Sequence, residues 1–304
     1  MQAIVLGSAA GGGVPQWNCR CPVCSLAWAG DLRVAPRTQS SLAVSGDGVD
    51  WLLLNASPDL RAQIAATRAL HPRHGERHSP VSAVVVTNGD VDHIAGLLTL
   101  RESQPFTLFG TTETLAMVNA NPVFGVVNTA FVPRRTVELD VPFEPLPGLA
   151  LEMFAVPGKV PLWQEDERQE NEGLVIGAET GGTVGVSIAC GGRRLVYIPG
   201  CAAISEAVRA RITGADLLFF DGTLYRDDEM IAAGTGVKTG ARMGHLSMSG
   251  PEGTIARLAD VPAARRVFIH INNTNPALVS GSPERQAVEA AGWVVAGDGM
   301  EFAL

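Results

Sequence analysis

Apolar and polar residues along this chain fall into short runs rich in Val, Ile, Leu, Phe and Ala, most of them closed by Gly, Pro or Asn. Such runs are too short for helices and predict strands at Gln2 to Leu6, Ser41 to Val44, Trp51 to Asn55, Ser82 to Thr87, Phe106 to Phe109, Leu151 to Val156, Leu174 to Ala178, Val184 to Ala189, Arg194 to Ile198, Asp216 to Phe220, Val267 to Ile271 and Trp293 to Val295. Helical spacing is rarer. It covers Asp59 to Leu70, opened by Ser57 as N-cap with Pro58 at the first helical position, and Asp92 to Glu102, Thr112 to Asn119, Ser205 to Ile212, Pro251 to Leu258 and Pro283 to Ala291. Strands outnumber helices about two to one, with hairpin-like spacing in the middle and strand-to-helix units at both ends. That mixture predicts an α/β chain of two packed sheets with helices outside. No internal repeat or low-complexity linker interrupts residues 1–304, so a single domain is expected.

Composition narrows the partners. The 304 residues are 46% hydrophobic and 18% charged, with 34 Gly and 19 Pro, which excludes disorder and coiled coil and suits a large core joined by tight loops. Net charge is −8 with no lysine or arginine run, so nucleic acid and anionic membrane are not expected partners; a small molecule or peptide is. The segment Met1 to Leu6 reads as one strand ending at Gly7, without the basic and apolar regions of a signal peptide, and no apolar stretch is long enough to span a bilayer. The expectation is a cytosolic protein.

Three of the five cysteines, Cys19, Cys21 and Cys24, lie within six residues. Thiolates so close converge on one soft cation, and three sulfurs plus a fourth ligand make the tetrahedral shell of a structural zinc. The site would pin the glycine-rich loop Gly7 to Gly13, within a zinc-binding segment of about residues 7–30; no Gly-Lys-Ser/Thr follows, so this is not a phosphate-cradling loop. Cys190 reads as a small buried hydrophobe at a strand end. His71, His74 and His78 lie in a Pro/Arg/Gly linker, and Glu165, Asp166, Glu167, Glu170 and Glu172 form an acidic run of the kind found in hydrated loops. The stretch 222–244 suits a flap near a site or a plain surface loop.

The sharpest chemical signal follows the apolar strand Ala83 to Val86. It runs into Thr87-Asn-Gly-Asp-Val-Asp-His93 and then Ile94-Ala-Gly-Leu-Leu98. Asp90, Asp92 and His93, held by a strand-to-helix turn, can converge on one metal; the alternative is an N-cap carboxylate with an incidental histidine.

This segment resembles the metallo-β-lactamase superfamily signature His-x-His-x-Asp-His, with Asn88 and Asp90 where the leading histidines stand and Asp92 and His93 matching. Val156-Pro-Gly-Lys159 resembles the Pro-Gly-His segment with Lys159 for the third histidine, and Ile198-Pro-Gly-Cys201 resembles the Ser-Gly-Asp strand end with Cys201 for the bridging aspartate. The resemblance spans almost the whole chain and implies an αββα four-layer sandwich. It implies further that Asp221, His245 and His270 supply an acidic residue, a catalytic histidine and the last metal ligand. By the same mapping the first metal site is dismantled, with the Lys159 ammonium standing near a lost dication, while Asp92, His93 and His270 complete the second. One carboxylate and two imidazoles match the facial triad of non-haem Fe(II) oxygenases, a ligand set that zinc hydrolases also use.

With the cysteine motif after Gly7 to Trp17, Gly244-His-Leu-Ser247 and His270-Ile-Asn-Asn-Thr-Asn-Pro276 added, the chain resembles the pyrroloquinoline quinone (PQQ) biosynthesis protein B family. The resemblance implies a cytosolic part in making PQQ from a Glu and a Tyr of a precursor peptide, alongside the other PQQ biosynthesis proteins. It implies Fe(II)- and O2-dependent hydroxylation of the tyrosine ring of a Glu-Tyr substrate, with His245 as proton donor unless it is a core histidine, and Lys159, with Arg242, suited to the substrate carboxylates. The alternatives are a metal-dependent hydrolase and a non-catalytic carrier of PQQ. Asn273, three residues past His270, is the candidate fourth zinc ligand.

Overall fold

Side chains alternate in and out along nearly every central strand, and both faces are apolar, as expected of sheets covered on both sides. The computed structural model describes residues 1–159 and 177–304. Its strands are β1 (Gln2–Gly7), β2 (Ser41–Ser45), β3 (Trp51–Leu54), β4 (Val81–Val85), β5 (Thr107–Gly110), β6 (Arg134–Thr136), β7 (Phe143–Leu146), β8 (Leu149–Gly158), β9 (Ala178–Cys190), β10 (Arg193–Ile198), β11 (Ala215–Asp221), β12 (Ala263–Ile269), β13 (Trp293–Val295) and β14 (Glu301–Ala303). The helices are α1 (Pro22–Trp28), α2 (Leu60–Ala66), α3 (Val91–Ile94), α4 (Thr112–Ala120), α5 (Glu206–Ile212), α6 (Glu229–Ala232), α7 (Thr254–Arg257) and α8 (Pro283–Ala290).

Among the described residues the strands form two seven-stranded mixed sheets, in the orders β14-β1-β2-β3-β4-β5-β6 and β13-β12-β11-β10-β9-β8-β7. Leu42, Leu52, Leu54 and Val85 from one sheet meet Leu195, Tyr197, Phe219 and Val267 from the other in the central core. The intervening residues face outward: Trp51, Leu53 and Val84 pack under Leu60, Ile94 and Leu115 of α2, α3 and α4. On the other side Val196, Phe220 and Phe268 pack with Val208 of α5, Val288 of α8 and the cysteine loop. At about 1.5–3 kcal/mol for each large apolar side chain buried, these three layers dominate the stabilisation, and the chain is the expected αββα sandwich. A one-residue register slip would turn a strand's core set to the wrong layer.

Several elements differ from the expectation. The helix expected over Asp92 to Glu102 is one α-turn followed by 3-10 turns at Ala95–Leu100. The Ala56 N–H takes the His93 carbonyl at 2.7 Å, the acceptor that a continuing helix needs, and Gly96 N–H donates to Ala56 O at 2.8 Å. Only glycine fits there, since a Cβ on Gly96 would lie 2.0 Å from Ser57 O. The helix expected from Asp59 breaks at Thr67, and its N-cap is Asp59, because Ser57 Oγ instead donates to Gln63 Oε1. The helix expected at Pro251 to Leu258 shortens to α7. Strands β6, β7 and β14 and helix α1 were not legible from periodicity, three of them being only three or four residues long. The strand expected at Leu174 to Ala178 and the acidic run at 165–172 lie outside the described residues, except that Ala178 opens β9. No helix among the described residues is long and apolar enough to cross a membrane.

Candidate metal centre

Chains in α/β folds present polar groups where strands end, because the helix or loop that follows leaves side chains and amides exposed at that edge. Here the C-terminal ends of β4, β8, β10, β11 and β12 deliver Asp92 and His93, Lys159, Cys201, Asp221 and His270 in turn. Two groups of ligand-type atoms form, Asp92/His93/His270 and Asp221/His245/His270, each with its atoms within 4.8 Å of one another.

Hydrogen bonding separates the two groups. Asp221 is fully buried and each of its oxygens is already engaged: Oδ1 accepts from the Thr223 N–H at 3.0 Å and the Thr223 hydroxyl at 2.6 Å, and Oδ2 accepts from the Cys201 N–H at 2.9 Å and His245 Nδ1 at 2.8 Å. In the other group, His93 Nε2 is buried with no hydrogen-bond partner among the described residues, while His93 Nδ1 lies 2.6 Å from Asn88 Oδ1. An amide oxygen only accepts, so Nδ1 carries the proton and the lone pair of Nε2 faces the centre. A buried imidazole nitrogen aimed at a carboxylate and a second imidazole, and bonded to neither, is the arrangement of a metal-ligating histidine. Asp92, His93 and His270 therefore fit a metal ion.

Electrostatics agree. Burial alone would raise Asp92, but the neighbouring His93 and His270 and its hydrogen bond with His270 Nε2 at 3.0 Å hold its carboxyl well below the usual range. Burial holds His93 below its ordinary value against the pull of Asp92, so it is neutral. Burial opposes charge on His270 too, yet the hydrogen bond and charge of Asp92 hold it above its ordinary value. His270 has φ 59, a left-handed conformation that side-chain-bearing residues seldom adopt. Thr223 Oγ1 lies 2.9 Å from its carbonyl oxygen and 2.9 Å from its Nδ1. The rings of His245 and His270 stack with centroids 5.3 Å apart.

The remaining site residues fall around this centre. Gly11 of the glycine-rich loop lies against Asp92, its Cβ position 3.7 Å from Oδ2. The Lys159 stem packs on Gly244, where a Cβ would meet its Cγ at 2.9 Å, one residue from His245. Asp90 is the N-cap residue of α3; its carbonyl accepts the His93 and Ile94 N–H groups, and its carboxylate is not gathered with Asp92, His93 and His270. Cys201 is buried, its thiol donates to Ala203 O at 3.0 Å, and burial together with Asp221 keeps it protonated. Asn88, read from the sequence as standing where a ligand was lost, accepts from His93 Nδ1 instead, and Thr223 escaped sequence reasoning; its only local signal was a hydroxyl two residues after Asp221.

The cysteine cluster forms as expected. Cys19, Cys21 and Cys24 bring their sulfurs within 4.8 Å, Cys21 caps α1, and Pro22 starts it. Asn273 closes the open face, its Nδ2 3.1 Å from Cys19 Sγ and 3.3 Å from Cys24 Sγ. Burial pushes the Cys21 thiol up to about 12, and a bound cation would favour its thiolate. Ala10 N–H donates to Ile271 O and Ile271 N–H to Ser8 O, which ties this loop to the segment carrying both His270 and Asn273.

Known proteins share both the sequence and the fold of this chain. Residues 50–271 match the family model of the β-lactamase superfamily domain. Coenzyme PQQ synthesis protein B of Methylobacterium nodulans is 64% identical over 304 residues, covering 100% of both chains. The crystal structure of zinc-bound PqqB from Methylobacterium extorquens superposes with a TM-score of 0.97 at 62% identity, covering 100% of both chains. A diphosphatase of the PhnP family shares the fold at 22% identity, with a TM-score of 0.70 over 99% of this chain and 97% of its own.

Proposed function

Because the chain belongs to the coenzyme PQQ synthesis protein B family, within the β-lactamase superfamily, and takes its part in PQQ synthesis, we propose that it hydroxylates the tyrosine ring of a Glu-Tyr-derived precursor in an Fe(II)- and O2-dependent reaction. The observation that carries this reading is the buried Nε2 of His93, with no hydrogen-bond partner among the described residues, beside Asp92 and His270, a set of one carboxylate and two imidazoles. Fe(II) held by Asp92, His93 and His270 would supply the activation of O2. A second metal is disfavoured, since the Asn88 amide is committed to His93 and both Asp221 oxygens are already taken by Thr223, the Cys201 N–H and His245. A dinuclear hydrolase needs that second ion to hold the leaving oxygen. The zinc on Cys19, Cys21 and Cys24 is structural; Asn273 stands at its open face with its amide N–H donating to Cys19 and Cys24 and would ligate only with its side-chain oxygen turned to the metal.

His245 donates its Nδ1 proton to Asp221, which burial would neutralise but the adjacent His245 keeps ionised. That leaves Nε2 of His245 to exchange a proton with the substrate phenol, and Asp221 holds the ring in the matching tautomer. Lys159, whose stem packs on Gly244, and Arg242, three residues before His245 in the chain, suit the carboxylates of a Glu-Tyr unit, which other proteins of the pathway would supply.

The test is anaerobic loading with Fe(II), then addition of O2, a two-electron reductant and Glu-Tyr, followed by mass spectrometry. Hydroxylation places one oxygen atom on the ring while the other leaves as water. No gain of oxygen by Glu-Tyr or by longer Glu- and Tyr-containing peptides, with iron bound, would sink the proposal; cleavage of a phosphodiester instead would favour the hydrolase.

A further inference from the structure

Four polar atoms crowd one hydroxyl. Thr223 Oγ1 lies 2.6 Å from Asp221 Oδ1, 2.9 Å from His270 O, 2.9 Å from His270 Nδ1 and 3.1 Å from His245 Nδ1. A hydroxyl has one proton to give and two lone pairs. A carboxylate oxygen and a carbonyl oxygen only accept, so the single Thr223 proton goes to one of these two, the shorter contact being with the charged Asp221. The His245 Nδ1 proton already goes to Asp221 Oδ2 at 2.8 Å. The lone pairs of Thr223 are then left for His270, whose Nδ1 has no other hydrogen-bond partner among the described residues.

We propose that Thr223 is a positioning residue which, by accepting from His270 Nδ1–H, fixes the His270 tautomer and turns Nε2 toward Asp92 as a metal ligand. Asn88 does the same for His93, so each imidazole of the centre is oriented by an uncharged acceptor. Thr223 differs in also touching the carboxylate that holds His245, so one buried hydroxyl, 4% exposed, sets the geometry of both a metal ligand and the proton-carrying pair. Its backbone adds to the effect: Thr223 O accepts the Asn272 N–H at 2.9 Å and so pins the chain just beyond His270.

The proposal rests on the reading of Asp92, His93 and His270 as a metal centre, and the test separates the two. Protein retaining its cysteine-bound zinc is titrated with Co(II) and followed by visible absorption. Thr223→Val, which keeps the shape and removes the hydroxyl, should weaken Co(II) binding about 10–100-fold, and Thr223→Ser should restore it. A Val variant with wild-type affinity overturns the role of Thr223 alone; a wild-type protein that takes up no Co(II) overturns the metal reading and this proposal with it. Should the Val variant fail to fold, the wild type suffices. In the zinc-loaded protein, long-range 1H–15N spectra should show His270 protonated at Nδ1 and metal-bound through Nε2. The reverse tautomer overturns the proposal.

Discussion

His93 Nδ1 and Asn88 Oδ1 lie 2.6 Å apart across the turn that leaves β4. Where the superfamily pattern has a leading histidine, position 88 here holds an amide that braces His93, the histidine proposed to bind the metal. The same amide oxygen accepts the Asp90 N–H at 3.0 Å, so the turn and the ligand are braced by one group.

Replacing Asn88 by Leu should therefore weaken metal binding at this centre about 10–100-fold without changing the zinc on the cysteines. Asn88→Asp, which keeps an acceptor at the same place, should retain most of the affinity. Elemental analysis and Co(II) titration check both. Rebuilding the leading histidines through Asn88→His and Asp90→His should fail to raise the metal count unless His93 finds another acceptor.

Two metals of different kinds are expected, one on soft sulfurs and one on mixed oxygen and nitrogen ligands. His93→Ala should lose only the second. Cys21→Ser should lose the zinc and lower the thermal midpoint by roughly 10 °C or more, since a structural zinc contributes to folding directly and each kcal/mol is worth about 2–4 °C in a large domain. Loss of both metals from folded His93→Ala protein would contradict the assignment.

His245→Gln should leave metal content unchanged and lower turnover about 10²–10⁴-fold, the usual weight of a positioned proton donor or acceptor. Loss of metal in this variant would show that His245 is a ligand instead.

Glu229 supplies a pH dependence. Burial pushes its carboxyl up to about 7 from 4.5, against hydrogen bonds from the Thr274 hydroxyl and the Tyr225 N–H. Between these values the folded chain holds a proton that the unfolded chain has lost. Its contribution to stability is therefore complete below about pH 4.5 and disappears as pH rises through 7, amounting to at most about 3 kcal/mol. Urea unfolding from about pH 5 to about pH 8 should show stability falling in the wild type, with a shallower fall in Glu229→Gln.

Local chemistry made much of this protein readable. Cys19, Cys21 and Cys24 lie too close in sequence to avoid one another, and Asp92 and His93 follow an apolar strand at a turn, so both clusters could be named before any fold was known. Alternation along β3, β4, β10 and β11 likewise required two covered sheets, because each strand carries two apolar faces to bury. What the sequence left open depends on distance across the fold. His270 meets Asp92 from 178 residues away and Asn273 meets Cys19 from 254, pairings that no local pattern joins and that the family resemblance alone suggested. Nothing in the local pattern of Asn88 told a lost ligand from an orienting acceptor, nor marked Thr223 as the hydroxyl between two histidines. Those roles follow from a hydrogen bond's reach of about 3 Å, and only the packing of the two sheets brings β4, β11 and β12 within it.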